Sequence, residues 1–341
     1  MVRAVVSLKD IAQKCGVSVA TVSKALNGQQ DIGSETRERI CRIAGEMGYT
    51  PNAAARMLKT NRSHNLGVLF VDEMRSGLRH EYFSAMLSSF KDEAERLGYD
   101  ITFISQNLGG RTMSYLEHCR YRNCDGVVIA CVNFSDPNVV DLMRSEIPVV
   151  TVDYLFDQRG AVISDNVRGM SELVNLIISF GHRDIAYIHG EMTSVTHNRL
   201  AGFYRSCEAA DIKVPDEYVR AARFHDPATS ALVTRELLAL KRPPTCIIYP
   251  DDICVLGGRS ELESRGFSIP DDICVAGYDG ALLSEVLRPP LTTVRQDTDT
   301  LGKRAAVMLV EAVENPKTYL PQQELIPGTL IPGGTVRRLG E

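Results

Sequence analysis

Ser7-Leu-Lys-Asp-Ile-Ala-Gln-Lys-Cys-Gly-Val-Ser-Val-Ala-Thr-Val-Ser-Lys-Ala-Leu-Asn-Gly28 carries two short apolar stripes separated by one glycine. At a helical period, Leu8, Ile11 and Ala12 share one face, Gly16 interrupts the chain, and Val22 and Leu26 share a second face. Ser18 has the oxygen and the position of an N-cap for the second segment. Two short helices joined by a glycine-containing turn of about four residues fit a helix-turn-helix, whose second helix presents its outward face to DNA. On that face lie Val19, Ala20, Ser23, Lys24 and Asn27. Two such helices lack a core of their own. A third, expected from Ser34 as cap through Ile40, Ile43 and Ala44 to a stop at Gly48, supplies it.

The charge distribution sets this region apart. Residues 1–63 hold 10 Lys/Arg against 5 Asp/Glu, a net +5, while the other 278 residues hold 28 against 38, a net −10. The chain's overall −5 therefore hides an end suited to a polyanion. At 341 residues the chain exceeds what one core fills, and 44% hydrophobic content with few aromatics suits two or three globular domains. No run approaches the roughly 18 apolar residues of a membrane span. Met1–Ser7 is too short and then too polar for a secretory signal, and the nine cysteines follow no metal or disulfide spacing. The expectation is a cytoplasmic protein with reduced thiols, no metal and no cofactor.

Past the third helix, Pro51-Asn-Ala-Ala-Ala-Arg-Met-Leu-Lys59 has a cap candidate and three alanines but only about two turns. That is below the roughly 12–15 residues at which an isolated helix holds, so it is expected to fray without a partner. The remainder alternates strand-like and helix-like runs. Leu66–Val71, 101–104 and 126–130 read as strands with helices at 81–97 and 111–121 between them. A second series starts at Val162, with helices at 167–180, 199–210, 227–239 and 252–265 and strands at 185–188, 246–249 and 274–277. Two doubly wound parallel-sheet lobes, an α/β body with a cleft at the carboxyl ends of the strands, are the economical fold.

The motifs Leu8-Lys-Asp-Ile-Ala, Gly16-Val-Ser, Ala20-Thr-Val-Ser, Leu26-Asn-Gly, Gly48-Tyr-x-Pro-Asn and Ala55-Arg-x-Leu58 resemble the LacI/GalR family of bacterial transcription regulators. The likeness continues through Asp165-Asn, Gly181-His-Arg-Asp-Ile-Ala, Arg199-Leu-Ala-Gly-Phe, Gly277-Tyr-Asp and Pro290-Leu-Thr-Thr-Val-Arg-Gln296. The resemblance implies an all-α DNA-binding headpiece over residues 1–50 and a hinge helix and linker over 51–63. It implies a type I periplasmic-binding-protein-like body over 64–341, which binds effector and dimerises. The body's N-lobe would span about 64–162 and 293–325, its C-lobe about 163–292 and 326–341. Val19, Ala20, Ser23 and Lys24 would face base edges, and Leu8, Asn27, Gly33 and Thr36 would lie near phosphates. Leu58 would wedge into the minor groove. The family usually has arginine where Lys24 stands. A lysine donates to guanine without the guanidinium fork, so an altered operator preference is expected at that step.

For the effector, the resemblance points to Arg199 and Asp279 as polar grips, to Tyr82, Phe83 and Phe224 as aromatic faces matching the purine-repressor branch, and to Asp153 as a further contact. Pro250-Asp251-Asp252 stands where the family commonly has Asn-Asp, and proline brings no amide side chain. The ending Leu330-Ile-Pro-Gly-Gly-Thr335 lacks the usual arginine, and no leucine heptads follow. The expected partners are palindromic operator DNA, a second copy of the chain as homodimer, and a small polar effector, a carbohydrate first and a purine or nucleoside second. A solute-binding protein or an enzyme would use the same body. No G-x-S-x-G, Walker or H-E-x-x-H pattern is present, and His182 lacks a nucleophile partner, so no catalytic residue is expected.

Overall fold

The structure, a computed structural model, describes residues 6–26, 31–49, 62–71 and 77–340. Asn27 and residues 51–61 of the expected hinge, Leu58 among them, lie outside the described residues. The chain divides into two compact units, Met1–Ser63 and His64–Glu341.

The first unit contains α1 (Leu8–Cys15), α2 (Val19–Leu26) and α3 (Ser34–Glu46). A capping box starts α1: Asp10 Oδ2 accepts from the Ser7 N–H at 2.8 Å, and Ser7 Oγ accepts from the Asp10 N–H at 3.4 Å. Gly16 ends it at φ 66°, a left-handed conformation that glycine enters without a Cβ penalty. Ser18 Oγ accepts from the Thr21 N–H at 3.0 Å, as its cap position in the sequence suggests. The start of α3 differs from expectation. Gly33 occupies the cap position and offers no side-chain acceptor, so Ser34 is the first helical residue. Ile11, Val22 and Ile40 are fully buried where the three helices meet, with Ala12, Cys15, Ala25 and Ala44 around them.

The second unit begins with β1 (Asn65–Phe70), α4 (Glu81–Arg96) and β2 (Asp100–Phe103). A small hairpin follows, β3 (Asn107–Leu108) and β4 (Arg111–Thr112), then α5 (Tyr115–Tyr121), β5 (Gly126–Ala130), α6 (Pro137–Arg144), β6 (Val149–Val152) and β7 (Gly160–Ser164). The hairpin replaces the first turn of the helix expected at 111–121. Gly109 and Gly110 at φ 56° and 81° turn the chain, and a Ser114–Glu117 capping box delays the helix to Tyr115. The chain then runs through α7 (Asn166–Ser179), β8 (Ile185–His189), α8 (Ser194–Ala209), β9 (Val219–Ala221), α9 (Pro227–Leu238), β10 (Cys246–Ile248), α10 (Asp252–Ser264), β11 (Cys274–Ala276) and α11 (Leu282–Val286). It finishes with β12 (Thr293–Arg295), α12 (Thr298–Glu314), β13 (Gln323–Ile326) and β14 (Thr329–Ile331).

Two parallel sheets organise this unit, ordered β13-β7-β6-β5-β1-β2 and β11-β10-β8-β9. Every residue of β5, β6 and β7 is buried, as expected of strands covered by helices on both faces. Four separate cores, one on each face of each sheet, result. The chain leaves the first sheet after β7 and returns by way of β12. Bridges at Ala276–Thr292 and Asp279–Arg295 hold that return beside the second sheet, and β14 pairs antiparallel with β12. The long helix α12 covers the first sheet against α4. Gly302 permits the contact, since a Cβ there would lie 2.3 Å from the Met86 carbonyl oxygen.

In each sheet the strand order reverses once, between β1 and β5 and between β8 and β10. The segments after those strands emerge side by side, which opens a crevice at the carboxyl ends.

Candidate functional site

In the first unit, α2 turns Val22 and Ala25 into the core and leaves Val19 and Ala20 exposed. Ser23 and Lys24 lie half-buried on the outward side, Leu8 is half-buried against the core, Gly33 is exposed and Thr36 half-buried. Lys24 is already engaged, its ammonium ion-paired with the Asp31 carboxylate. Sequence reasoning did not single out Asp31; a carboxylate shortly after a helix whose sole charge is one lysine was the available signal.

In the second unit, the crevice between the lobes holds a cavity of about 130 Å³. Its polar wall comes from Glu81, Asp252, Asp279, Arg295, Gln296 and Thr298, with Tyr82 and His225 beside them. Tyr82 and Asp279 thus reach the cavity. Asp153, Arg199, Phe83 and Phe224 do not line it; Asp153 and Arg199 stand behind Tyr82 and Asp279.

Asp153, placed just past β6 at φ 56°, holds Tyr82 from the rear. Its Oδ2 accepts from the Tyr82 hydroxyl at 2.7 Å and its Oδ1 from the Ser164 N–H at 2.7 Å. Burial pushes the Asp153 carboxyl above its ordinary range, partly offset by those bonds. Burial and the charge of Asp153 drive the Tyr82 phenol well above 10, so it remains a donor. Arg199, 3% exposed, donates to Asn166 Oδ1 and to the Pro250 carbonyl at 2.8 Å each, and to Asp279 Oδ1 at 3.4 Å. Its guanidinium also lies 3.6 Å over the Tyr278 ring. Pro250 therefore contributes through its carbonyl what its side chain cannot.

Asp279, at φ 103°, also accepts from Gln296 Nε2 at 2.7 Å. Burial raises its carboxyl above the usual range, Arg199 offsetting only part of that cost. The same carboxylates keep Arg199 firmly charged despite its burial. Three site residues, Asp153, His225 and Asp279, occupy positive φ, which costs a non-glycine residue on the order of 1 kcal/mol each. Such strain persists only where surroundings over-determine it.

Asp252, missed in the sequence, ties α10 to the crossing segment. Its Oδ1 accepts from the Thr293 hydroxyl and its Oδ2 from the Ala281 N–H, each at 2.7 Å. Burial, reinforced by the charge of Asp279, pushes its carboxyl well up. Asp251 caps α10 through the Cys254 N–H at 2.8 Å and accepts from the His225 N–H at 2.8 Å. Burial works against its charge, but these partners win and hold its carboxyl below the usual range. Gln296 was quoted only as part of a motif. Its Oε1 is buried and has no hydrogen-bond partner among the described residues, while the residue itself lines the cavity.

Contacts among the described residues join the lobes near the cavity. The His80 and His225 rings stack with centroids 3.6 Å apart, Glu81 Oε1 accepts from the Leu282 N–H at 2.8 Å, and Ser194 Oγ donates to the Asp153 carbonyl at 2.5 Å. Phe83 packs edge-on to His80 and beside Phe70, at the margin of the first-lobe core. Phe224 lies against Gly190, with its ring 6.0 Å from the Arg199 guanidinium. His182 is buried between Thr245 and the Arg337 carbonyl, a structural position. Among the described residues no helix is long and apolar enough to cross a membrane, and no cluster of three or more His, Cys, Asp or Glu side chains is arranged to hold a metal.

Residues 7–52 match the model of bacterial regulatory proteins of the lacI family, and residues 174–336 match a periplasmic binding protein-like domain. The HTH-type transcriptional repressor PurR of Escherichia fergusonii is 30% identical over 329 residues, covering 94% of each chain. PurR of Vibrio parahaemolyticus is 29% identical over 340 residues, covering 98% of this chain and 99% of that protein. Among solved structures, the lac repressor dimer bound to operator and the anti-inducer ONPF superposes with a TM-score of 0.80 at 24% identity, over 98% of this chain and 99% of that one. A CelR–cellobiose complex gives 0.71 at 23% identity, over 97% and 99%. Helix-turn-helix and two-lobed body together define a DNA-binding transcriptional regulator. The chain belongs to the LacI family of bacterial regulatory proteins. That family is made up of DNA-binding regulators rather than enzymes.

Proposed function

We propose that the protein is a cytoplasmic, homodimeric repressor that reads a palindromic operator through residues 1–50 and the hinge at 51–63, under control of a small polar effector bound in the 64–341 body. In this reading Val19, Ala20, Ser23 and Lys24 meet base edges, Leu8, Asn27, Gly33 and Thr36 meet the backbone, and Leu58 enters the minor groove. A headpiece this short reads about half a site, and pairing over a palindrome supplies the rest of the specificity.

The observation that carries the effector reading is the acceptor-rich wall of the cavity, on which Glu81, Asp279 and Gln296 stand. Asp279, Glu81 and Gln296 present polar side chains to a ligand rich in hydroxyl donors, with Arg295 as a donor in return. An uncharged carbohydrate fits this pattern. An anionic ligand would meet several carboxylates. In this assignment Tyr82 and Asp279 touch the ligand, and Asp153 and Arg199 position them.

A second reading, a purine or nucleoside, draws on the PurR relatives and on Phe83, Phe224 and the stacked His80–His225 rings, which would have to part to admit a flat base. A thermal-shift screen of neutral sugars, sugar phosphates and purines separates the two. Stabilisation of the body by a neutral sugar, absent with its phosphate ester, supports the first reading. Stabilisation by purines alone replaces it with the second. Salt-dependent binding to upstream DNA fragments tests the regulator role itself.

A further inference from the structure

Lys24 is the sole charged side chain of α2, Val-Ala-Thr-Val-Ser-Lys-Ala-Leu. Its ammonium pairs with Asp31, seven residues on, and both side chains are about half exposed. The lysine hydrogen bond holds the Asp31 carboxyl below its ordinary range. Exposed ion pairs add little to stability, so the fold itself gives no strong reason for a carboxylate at this position. On a surface that meets a polyanion, moreover, that carboxylate repels.

We propose that Asp31 is a specificity-determining residue for DNA recognition, which aims the Lys24 ammonium along the outward face of α2 and penalises DNA lacking a matching base edge. The proposal rests on the reading of α2 as the recognition helix. A lysine is a point charge on a flexible four-carbon stem with three donors. Left free, it reaches the nearest phosphate, which carries no sequence information. With one N–H held by Asp31, two remain to approach a base acceptor pair such as guanine O6 and N7. The Asp31 charge stays close to the helix surface throughout, so DNA that brings only phosphates gains less than it would from lysine alone.

The test uses the full chain, an operator selected by it from randomised duplexes, and a scrambled duplex of equal length, titrated across a range of salt. Asp31→Asn is expected to raise affinity for the scrambled duplex about tenfold and to steepen the salt dependence of log K by about 1, one further phosphate neutralised. The operator-to-scrambled ratio falls accordingly, and selection with the variant relaxes one base step. Asp31→Glu restores the ratio. In a Lys24→Met background Asp31→Asn leaves base preference unchanged, because nothing remains to be aimed. Thermal unfolding of the headpiece stays the same in Asp31→Asn, separating recognition from folding. An Asp31→Asn protein with wild-type ratio and salt slope overturns the inference alone, as does an equal effect in the Lys24→Met background. A wild-type chain that binds no DNA overturns the reading of α2 with it.

Discussion

On the outward side of α2, Val19 and Ala20 face solvent, and the single charged side chain is held by one exposed ion pair. In the cleft of the body, Arg199, Asp251 and Asp252 are at least 97% buried, and each spends several hydrogen bonds on its neighbours. The polar groups of the helix lie at the surface, whereas those of the cleft are locked to their neighbours. Substitution on α2 should therefore register in binding with little effect on folding. Substitution in the cleft should register in both.

The largest break in that contrast comes from Arg199→Met. It leaves Asp279 and Asp153 without their main cation and strands the Pro250 carbonyl, a loss of about 3–5 kcal/mol for a broken buried pair. Urea unfolding of the full chain followed by circular dichroism should show the body transition moving to lower denaturant. A body of wild-type stability would mean that the pair does not hold the cleft.

A smaller effect, and one that depends on pH, is expected at Asp252. Its carboxyl is raised by burial, so the contribution it makes is fully present below the unfolded value near 4 and is lost as pH rises through the higher folded value. Body stability should thus decline with rising pH over that interval. Asp252→Asn should flatten the decline and change stability little at the acidic end, where the amide stands in for the protonated carboxyl and the Thr293 hydroxyl can turn to accept from it. Glu261 acts with the opposite sign: Arg235 and Arg265 hold its carboxyl down to about 2, so its share is present above the ordinary glutamate range and fails only in stronger acid. An unchanged slope in Asp252→Asn would remove this carboxyl as the source.

The smallest change in stability, near zero, belongs to Lys24→Arg. The fork should alter preference at one base step by about 1–3 kcal/mol, with the headpiece melting unmoved. Identical selected operators for the two proteins would show that Lys24 reads nothing.

The helices of the headpiece were legible because their signals are local: Gly16 and Ser18 each act within three or four residues. The buried strands were legible as apolar runs, Gly126-Val-Val-Ile-Ala130 among them. Helix α12 was not singled out in the sequence, and its contact with α4 rests on Gly302, whose role depends on a backbone more than 200 residues away. The cleft was half-legible for a related reason. Asp279 could be placed by the motif around it and Tyr82 by its match to the purine-repressor branch, but whether a side chain lines a cavity or stands behind it depends on how two lobes meet. That depth separates Asp279 from Arg199, which grips it, and no local pattern encodes it. Asp252 looked like an ordinary first-turn acid of a helix; only the crossing segment at Thr293 gives it a different task.

Among the described residues, the contacts that span the lobes, His80 on His225, Glu81 on the Leu282 amide and Ser194 on the Asp153 carbonyl, lie near the cavity that an effector would fill. Parting the lobes would widen the way out for a molecule held there. Residence time would then depend on how often the lobes part as well as on the contacts to the ligand itself. Two effectors with equally strong contacts would leave at different rates if one of them also loosened the lobe contacts, so part of the persistence of a signal would be written into the protein.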